Sequence, residues 1–282
     1  LPDRRESQSR ILPLRRRGMT KWFMLTTPII SEKEIPVNYW NGEFTDLKIT
    51  VKRRTTKKEL RILVDQHDIK KFVVGIEKGK QGLDHYQIRL ETSDPEFFSR
   101  FTAQIPQAHV SEAESHNLEY ERKEGRFWTS LDTVDIWKTR FGKPKEDQQR
   151  VIEALQRTND REIVIWYDTE GCKGKSWLCN HLWEIGKAYY VPPYLSSVGA
   201  MIQDLASEYS QHGWRPYAIV DIPRSWKWTK ELVTALEAIK DGLIKDPRYS
   251  ATTINIRGVK VLVLTNTKPN LDGLSRDRWI FL

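Results

Sequence analysis

A run of β-branched and aromatic residues that ends abruptly in a glycine-lysine-serine loop leaves a chain few ways to fold. Ile163-Val164-Ile165-Trp166 is such a run, and Asp168-Thr169-Glu170-Gly171-Cys172-Lys173-Gly174-Lys175-Ser176 follows it, with helical character after that. Strand, loop and helix in this order make a phosphate cradle: glycines let backbone amides curl around phosphate oxygens. Gly171, Cys172, Lys173 and Gly174 would wrap the phosphates, Lys175 would reach the β- and γ-phosphates, and Ser176 would hold the Mg²⁺ that accompanies ATP. The usual pattern has glycine where this chain has Thr169, and Gly171 leaves a shorter interval. The plain alternative is a glycine-containing strand-to-helix turn. Tyr217-Ala218-Ile219-Val220 and Val261-Leu262-Val263-Leu264 are two further buried-strand runs, separated by helical stretches such as 228–239. That alternation predicts a mostly parallel sheet with helices on both faces.

Polar residues punctuate the ends of these runs. Asp221 closes the second and would order the water shell of a metal; Ile222 stands where a second acid commonly follows, which leaves the base of any hydrolysis open. Asn266 follows the third run and resembles the polar sensor of superfamily 3 helicases, which contacts the γ-phosphate or attacking water. Arg276 and Arg278 lie just beyond. Either could act as an arginine finger on a neighbouring subunit, and either could equally be a surface ion pair.

The amino-terminal half reads differently. Strands are expected at 22–26, 72–77, 85–91 and 108–112, with the second and third forming a hairpin, and helices at 58–67, after Asp94-Pro95, and at 115–123 with Ser115 as cap. Several short strands with few helices point to a small α+β sheet domain. His85 and Gln87 are two apart, so they share a strand face. Glu77 sits near the end of the neighbouring strand. An imidazole, an amide oxygen and a carboxylate form a mixed site suited to Mg²⁺ or Mn²⁺. Tyr120 and Lys123 are three apart on the expected helix, hence neighbours on its surface. A phenol titrates near ~10 and needs a cation or a metal's field to attack at neutral pH. Lys123 could stabilise the phenolate or the charge on a phosphate.

His85-Tyr86-Gln87, then Tyr120-Glu121-Arg122-Lys123-Glu124-Gly125, then the phosphate loop about fifty residues later form an ordered set. The set resembles the replication initiators (Rep proteins) of small circular single-stranded DNA viruses. His85-Tyr86-Gln87 resembles the second motif of their HUH endonuclease domain, with Gln in place of the second His; the segment from Tyr120 resembles the third. Phe23-Met24-Leu25-Thr26-Thr27-Pro28 resembles the first, associated with origin recognition, and Glu77 the acidic metal ligand. The local flavour is nearest to smacoviruses, with circoviruses and nanoviruses further off. The resemblance implies an α+β HUH endonuclease domain at 19–130, a linker at 131–147 and an α/β P-loop superfamily 3 helicase domain at 148–282. It implies a catalytic Tyr120 assisted by Lys123, metal ligands Glu77, His85 and Gln87, ATP with Mg²⁺ in the loop, and a stem-loop origin in single-stranded DNA as substrate. It also implies a ring, a hexamer by expectation, since an arginine finger acts between subunits, host replication proteins as possible partners, and work in the host nucleus.

Charge bears on the partner. The formal net charge is +8, and half of it comes from 1–18, where six Arg face only Asp3 and Glu6. That segment is expected to be a disordered basic extension, with Met19 a candidate internal start. The rest is only mildly basic, so a polyanion footprint must be local. Eleven Trp are expected mostly in cores or interfaces, with a few free to stack on bases. Cys172 and Cys179 make no ligand set and read as reduced thiols. No apolar run reaches membrane-spanning length. The final apolar stretch, Trp279-Ile280-Phe281-Leu282, suggests that a few residues follow it. The competing function is a non-catalytic nucleic-acid binder with a degenerate motor; a plain ATPase acting on proteins ranks third.

Overall fold

The computed structural model describes residues 20–38, 44–79, 82, 84–192, 197–246, 252–271 and 273–282, with side chains of 30–53 excluded. The basic segment 1–18 and Met19 lie outside the described residues. By compactness the chain falls into two units: one drawn from residues up to 72 and 78–116, the other from 73–77 and 117–282.

The first unit is antiparallel with helices. Its elements are β1 (Lys21–Pro28), β2 (Ile30–Asn38), β3 (Phe44–Arg54), α1 (Lys57–Gln66), the ends of β4 (Ile69–Lys78), β5 (Asp84–Thr92), α2 (Phe97–Gln104) and β6 (His109–Glu112). Strands run in the order β6-β1-β5-β4, while β2 and β3 form a separate two-stranded ribbon. That ribbon was not expected from sequence, although Leu47, Ile49 and Val51 of β3 alternate with Lys48, Thr50 and Lys52. Strand β1 alternates exposed and buried residues, sending Phe23 and Leu25 into the core. They meet Tyr86, Ile88 and Leu90 of β5 and Phe97 and Phe101 of α2 among the buried residues. Helix α1 starts at a capping box in which Thr56 and Glu59 satisfy each other's backbone N–H groups.

The second unit holds 73–77 of β4, β7 (Phe127–Thr129), α3 (Val134–Phe141), α4 (Glu146–Arg157), β8 (Ile163–Tyr167), α5 (Lys175–Glu184), β9 (Ala188–Tyr190), α6 (Val198–His212), β10 (Tyr217–Ile222), α7 (Lys230–Asp241), β11 (Leu243–Lys245), β12 (Thr253–Asn255), β13 (Lys260–Thr265) and β14 (Trp279–Phe281). Its five-stranded sheet has the order β14-β8-β13-β10-β9, and every pairing in it is parallel. Two cores cover the two faces. Ile163, Ile165, Val220, Val261 and Val263 pack with α6 and α7, whereas Val164, Trp166, Ile219, Leu262 and Leu264 pack with α4 and α5. Buried on both sides, these strands need continuous apolar runs, which is why they were legible.

Two expectations need correction. The stretch expected as helix over 115–123 contains only a single 3₁₀ turn, Tyr120–Arg122. Its start is drawn off elsewhere: the Arg89 guanidinium donates to the Ser115 carbonyl, and the Asn117 side chain accepts from the Glu119 N–H at 2.9 Å. These local bonds compete with a helical ladder. The stretch read as linker, 131–147, holds the helix α3, capped by Thr133. Among the described tryptophans only Trp166 and Trp279 are fully buried; most of the others are half-covered. No helix among the described residues is long and apolar enough to cross a membrane.

Candidate functional site

The ends of three neighbouring strands build the phosphate loop. Thr265 of β13 is in register with Tyr167 of β8 and with Ile222 of β10. The residues that follow, Asp168 and Asn266, and Asp221 one step back, therefore collect at the carboxyl edge of the sheet, where ligands bind in open α/β folds. Gly171 and Gly174 take positive φ (90° and 79°), and so does Cys172 at 62°, a conformation that strains any residue with a Cβ. Helix α5 then begins at Gly174, with no side chain capping its first turn. Its leading N–H groups and the positive end of its dipole are thus left for an anion.

Five side chains hold this loop. Asp168 Oδ2 accepts from the Gly171 N–H at 2.8 Å and from Lys175 Nζ at 3.0 Å, and Oδ1 accepts from the Glu170 N–H at 3.3 Å. Asn266 donates to the Asp168 carbonyl at 2.5 Å, Arg224 to the Glu170 carbonyl at 2.9 Å, and Gln148 of α4 to the Gly174 carbonyl at 2.9 Å. The Lys175 bond holds the Asp168 carboxyl below the usual carboxylate range, against some desolvation. Burial raises the Asp221 carboxyl, and a hydrogen bond from Ser176 and the charge of Lys175 offset part of that rise. A serine hydroxyl bonded to a half-buried aspartate is a donor set that fits Mg²⁺ on a nucleotide. Cys172 is exposed, while Cys179 is buried in α5 with its thiol pushed up to about 12 by desolvation.

Arg276 and Arg278 stand at the other edge. They immediately precede β14, whose first residue Trp279 pairs with Ile163 at the start of β8. The loop after Tyr167 is four residues away, about 13 Å along the strand. Arg278 is ion-paired with Glu237 at 3.4 Å, whereas Arg276 is exposed and has no carboxylate within 4 Å among the described residues.

The tyrosine turn is built by close approach rather than by regular structure. Gly75 in the middle of β4 lets the Glu121 carbonyl lie directly on the strand; a Cβ there would sit 2.1 Å from that oxygen. Gly125 (φ 67°) closes the turn, and a Cβ on it would come within 1.9 Å of the Ile185 carbonyl at the end of α5. Between these two contacts Tyr120 is 55% exposed. Lys123 bridges it to Glu77: the ammonium pairs with Glu77 Oε2 at 3.0 Å and lies 3.8 Å from the Tyr120 ring centroid. Partial burial disfavours the Lys123 charge, but the interactions with Tyr120 and Glu77 outweigh it and raise its pKa. Residues three apart on a 3₁₀ turn eclipse one another, so the neighbourhood expected of a helix survives without one.

His85 and Gln87 occupy alternate positions of β5, on the face opposite buried Tyr86 and Ile88. Thr26 donates its hydroxyl to Gln87 Oε1 at 2.6 Å, which aims the amide oxygen and leaves it a second lone pair. An oriented amide oxygen beside an imidazole fits a hard divalent cation. Glu77 belongs to the part of β4 that lies in the second unit. No group of three or more His, Cys, Asp and Glu placed to hold a metal ion occurs among the described residues; the expected trio contains two of those types and an amide.

Sequence reasoning missed Asp168, Gln148, Gly75 and Gly125 as determinants of these sites. A glycine inside an otherwise apolar strand is a signal of close backbone approach, and Val73-Val74-Gly75-Ile76 carries it. An acid immediately after a strand and before a glycine loop is a weaker one.

No family model matches the chain. It is 27% identical over 134 residues to the master replication protein of Faba bean necrotic yellows virus (isolate Syrian SV292-88), covering 46% of this chain and 43% of that protein. The master replication protein of Milk vetch dwarf virus (isolate N) matches to the same extent, and that of Banana bunchy top virus is 26% identical over 145 residues, 51% of this chain and 46% of the relative. The matches thus span less than half of the relatives' length.

Proposed function

We propose that the chain, a relative of the replication-associated proteins of circular single-stranded DNA viruses, initiates rolling-circle replication by nicking and rejoining one DNA strand and unwinding the duplex with ATP. The observation that carries the reading is the exposed phenol of Tyr120, held by the Lys123 ammonium against Glu77. The nicking half is read as an HUH endonuclease domain and the parallel-sheet half as a superfamily 3 helicase domain.

In this reading the Tyr120 oxygen attacks the scissile phosphorus, the O3′ bond breaks, and the 3′ oxygen leaves with a proton. A 5′ phosphotyrosine and a free 3′ hydroxyl result. The phosphodiester is exchanged rather than hydrolysed, so attack by a later 3′ hydroxyl can reclose a circle. Lys123 lowers the cost of the phenolate as its proton departs. Glu77, His85 and Gln87 would hold Mg²⁺ or Mn²⁺, which when bound polarises the phosphate. In the other half Lys175 and the first turn of α5 would bind the phosphates of ATP, Ser176 would hold Mg²⁺ with Asp221 ordering its water shell, and Asn266 would contact the γ-phosphate or the attacking water.

The arginines sharpen the oligomer proposal. Arg276 and Arg278 lie at the wrong sheet edge to reach the loop of their own subunit, so a finger role requires a neighbour. Arg276, unpaired with a carboxylate, suits it better than Arg278. A ring, with a hexamer as the expected number, follows from that requirement. Stem-loop origin DNA, host replication proteins and the host nucleus complete the proposed setting.

The test is to incubate the protein with a labelled stem-loop oligonucleotide and Mn²⁺ and run a denaturing gel. A covalent protein–DNA band is expected, dependent on Tyr120. Tight, salt-sensitive binding with no covalent band under any metal would favour the non-catalytic reading instead.

A further inference from the structure

The phosphate loop already contains an anion. The two oxygens of Asp168 accept from the Glu170 N–H, the Gly171 N–H and Lys175 Nζ, at 3.3, 2.8 and 3.0 Å. These are the donors such a loop offers a phosphate: two successive peptide N–H groups and the lysine ammonium. The pair is well shielded, with side-chain exposures of 12% for Asp168 and 7% for Lys175, so salt screens it little. The loop is held in the conformation that presents these donors from outside, by Asn266 on the Asp168 carbonyl and Arg224 on the Glu170 carbonyl. The backbone cradle therefore has anchors that do not depend on the carboxylate.

We propose that Asp168 is a built-in competitor for the phosphate groups of the nucleotide and sets how tightly the loop binds them. This rests on the reading of the loop as an ATP site. An incoming phosphate must take Lys175 and the Gly171 N–H away from the carboxylate. It must then remain beside a like charge that the protein cannot move far, since residue 168 is the first after β8 and is tied through its own carbonyl. A phosphate chain with Mg²⁺ recovers that loss through Ser176, Asp221 and the first turn of α5, contacts that a lone phosphate ion lacks. The Lys175 bond holds the carboxyl below its usual range, so the competitor is charged in the empty loop at neutral pH.

The experiment measures the affinity of a fluorescent ATP analogue with Mg²⁺ for the full chain, for Asp168→Asn and for Asp168→Ser, each first checked for an unaltered unfolding midpoint. Asp168→Asn keeps the shape and an acceptor for Gly171 while removing the charge. It is expected to bind about tenfold tighter, the size of one charged hydrogen bond released, and Asp168→Ser to bind tighter as well. Equal or weaker binding by both variants would overturn the proposal and make Asp168 an organiser of the loop instead. If neither the unaltered chain nor any variant binds, while Lys175→Ala behaves identically, the ATP reading itself falls.

Discussion

The phosphate loop and the tyrosine turn lie in one unit and are built on opposite plans. The loop is placed by regular structure: three parallel strands in register bring Asp168, Asp221 and Asn266 to one edge, and a helix starts where the loop ends. The turn is placed by contact. Three residues of 3₁₀ helix rest on Gly75, are closed by Gly125 against Ile185, and are pinned by the Lys123–Glu77 pair. A site of the first kind tolerates change at its margins because the sheet holds it. A site of the second kind depends on a few atoms, each of which can be removed singly.

Substitutions can break this contrast in order of expected size. Tyr120→Phe should lower covalent DNA attachment by about 10³-fold or more while ATP hydrolysis persists; a persistent adduct on a gel would refute the assignment of the nucleophile. Lys175→Ala should cut ATP turnover by about 10²-fold and spare single-strand nicking, because the loop is held by bonds that the turn does not use. Loss of both activities together would mean that the two plans are not separable. Lys123→Met should slow adduct formation by roughly tenfold in single-turnover kinetics, since the phenolate loses its cation but the turn keeps both glycine contacts. Gly125→Ala should destabilise the protein by about 1–3 kcal/mol in denaturant titration, from positive φ and the collision with the Ile185 carbonyl.

The smallest effect has the opposite sign. The Asp221 carboxyl is raised above 3.8 in the folded chain, mainly by burial, so its ionised form costs stability at pH 7. Asp221→Asn should therefore raise the melting temperature by roughly 2 °C while abolishing ATP hydrolysis. The cost of the wild-type carboxylate exists above its folded pKa and vanishes once pH falls below 3.8, where both states are protonated, so the gain should shrink toward pH 3.5. A gain that survives at that pH would have another cause.

The same contrast explains what the sequence disclosed. Ile163–Trp166, Tyr217–Val220 and Val261–Leu264 are buried on both faces, so their continuous apolar runs announced a parallel sheet. The register that aligns their ends follows from the sheet alone, which made the loop readable. The turn was readable only as a motif. The helix expected there is absent because Asn117 takes the Glu119 amide and Arg89 takes the Ser115 carbonyl, and the second partner lies 26 residues away, outside any local window of sequence. Strand β2, Ile30-Ser31-Glu32-Lys33-Glu34-Ile35-Pro36-Val37-Asn38, is hard to read because it mixes charges and a proline with its apolar residues, whereas β3 carries a readable alternation at Leu47, Ile49 and Val51.

The carbonyl of Ile185 gives the glycine at 125 a practical meaning. A fragment ending near residue 130 would keep the tyrosine and discard the floor beneath it: Ile185, the Trp183 ring near Arg122, and Arg140, which lies over Phe127 and donates to its carbonyl. Anyone trimming this protein to study strand cleavage in isolation should expect a looser piece, and a cut just beyond α5 would be no remedy, because it strips β8 of its sheet neighbours β13 and β14.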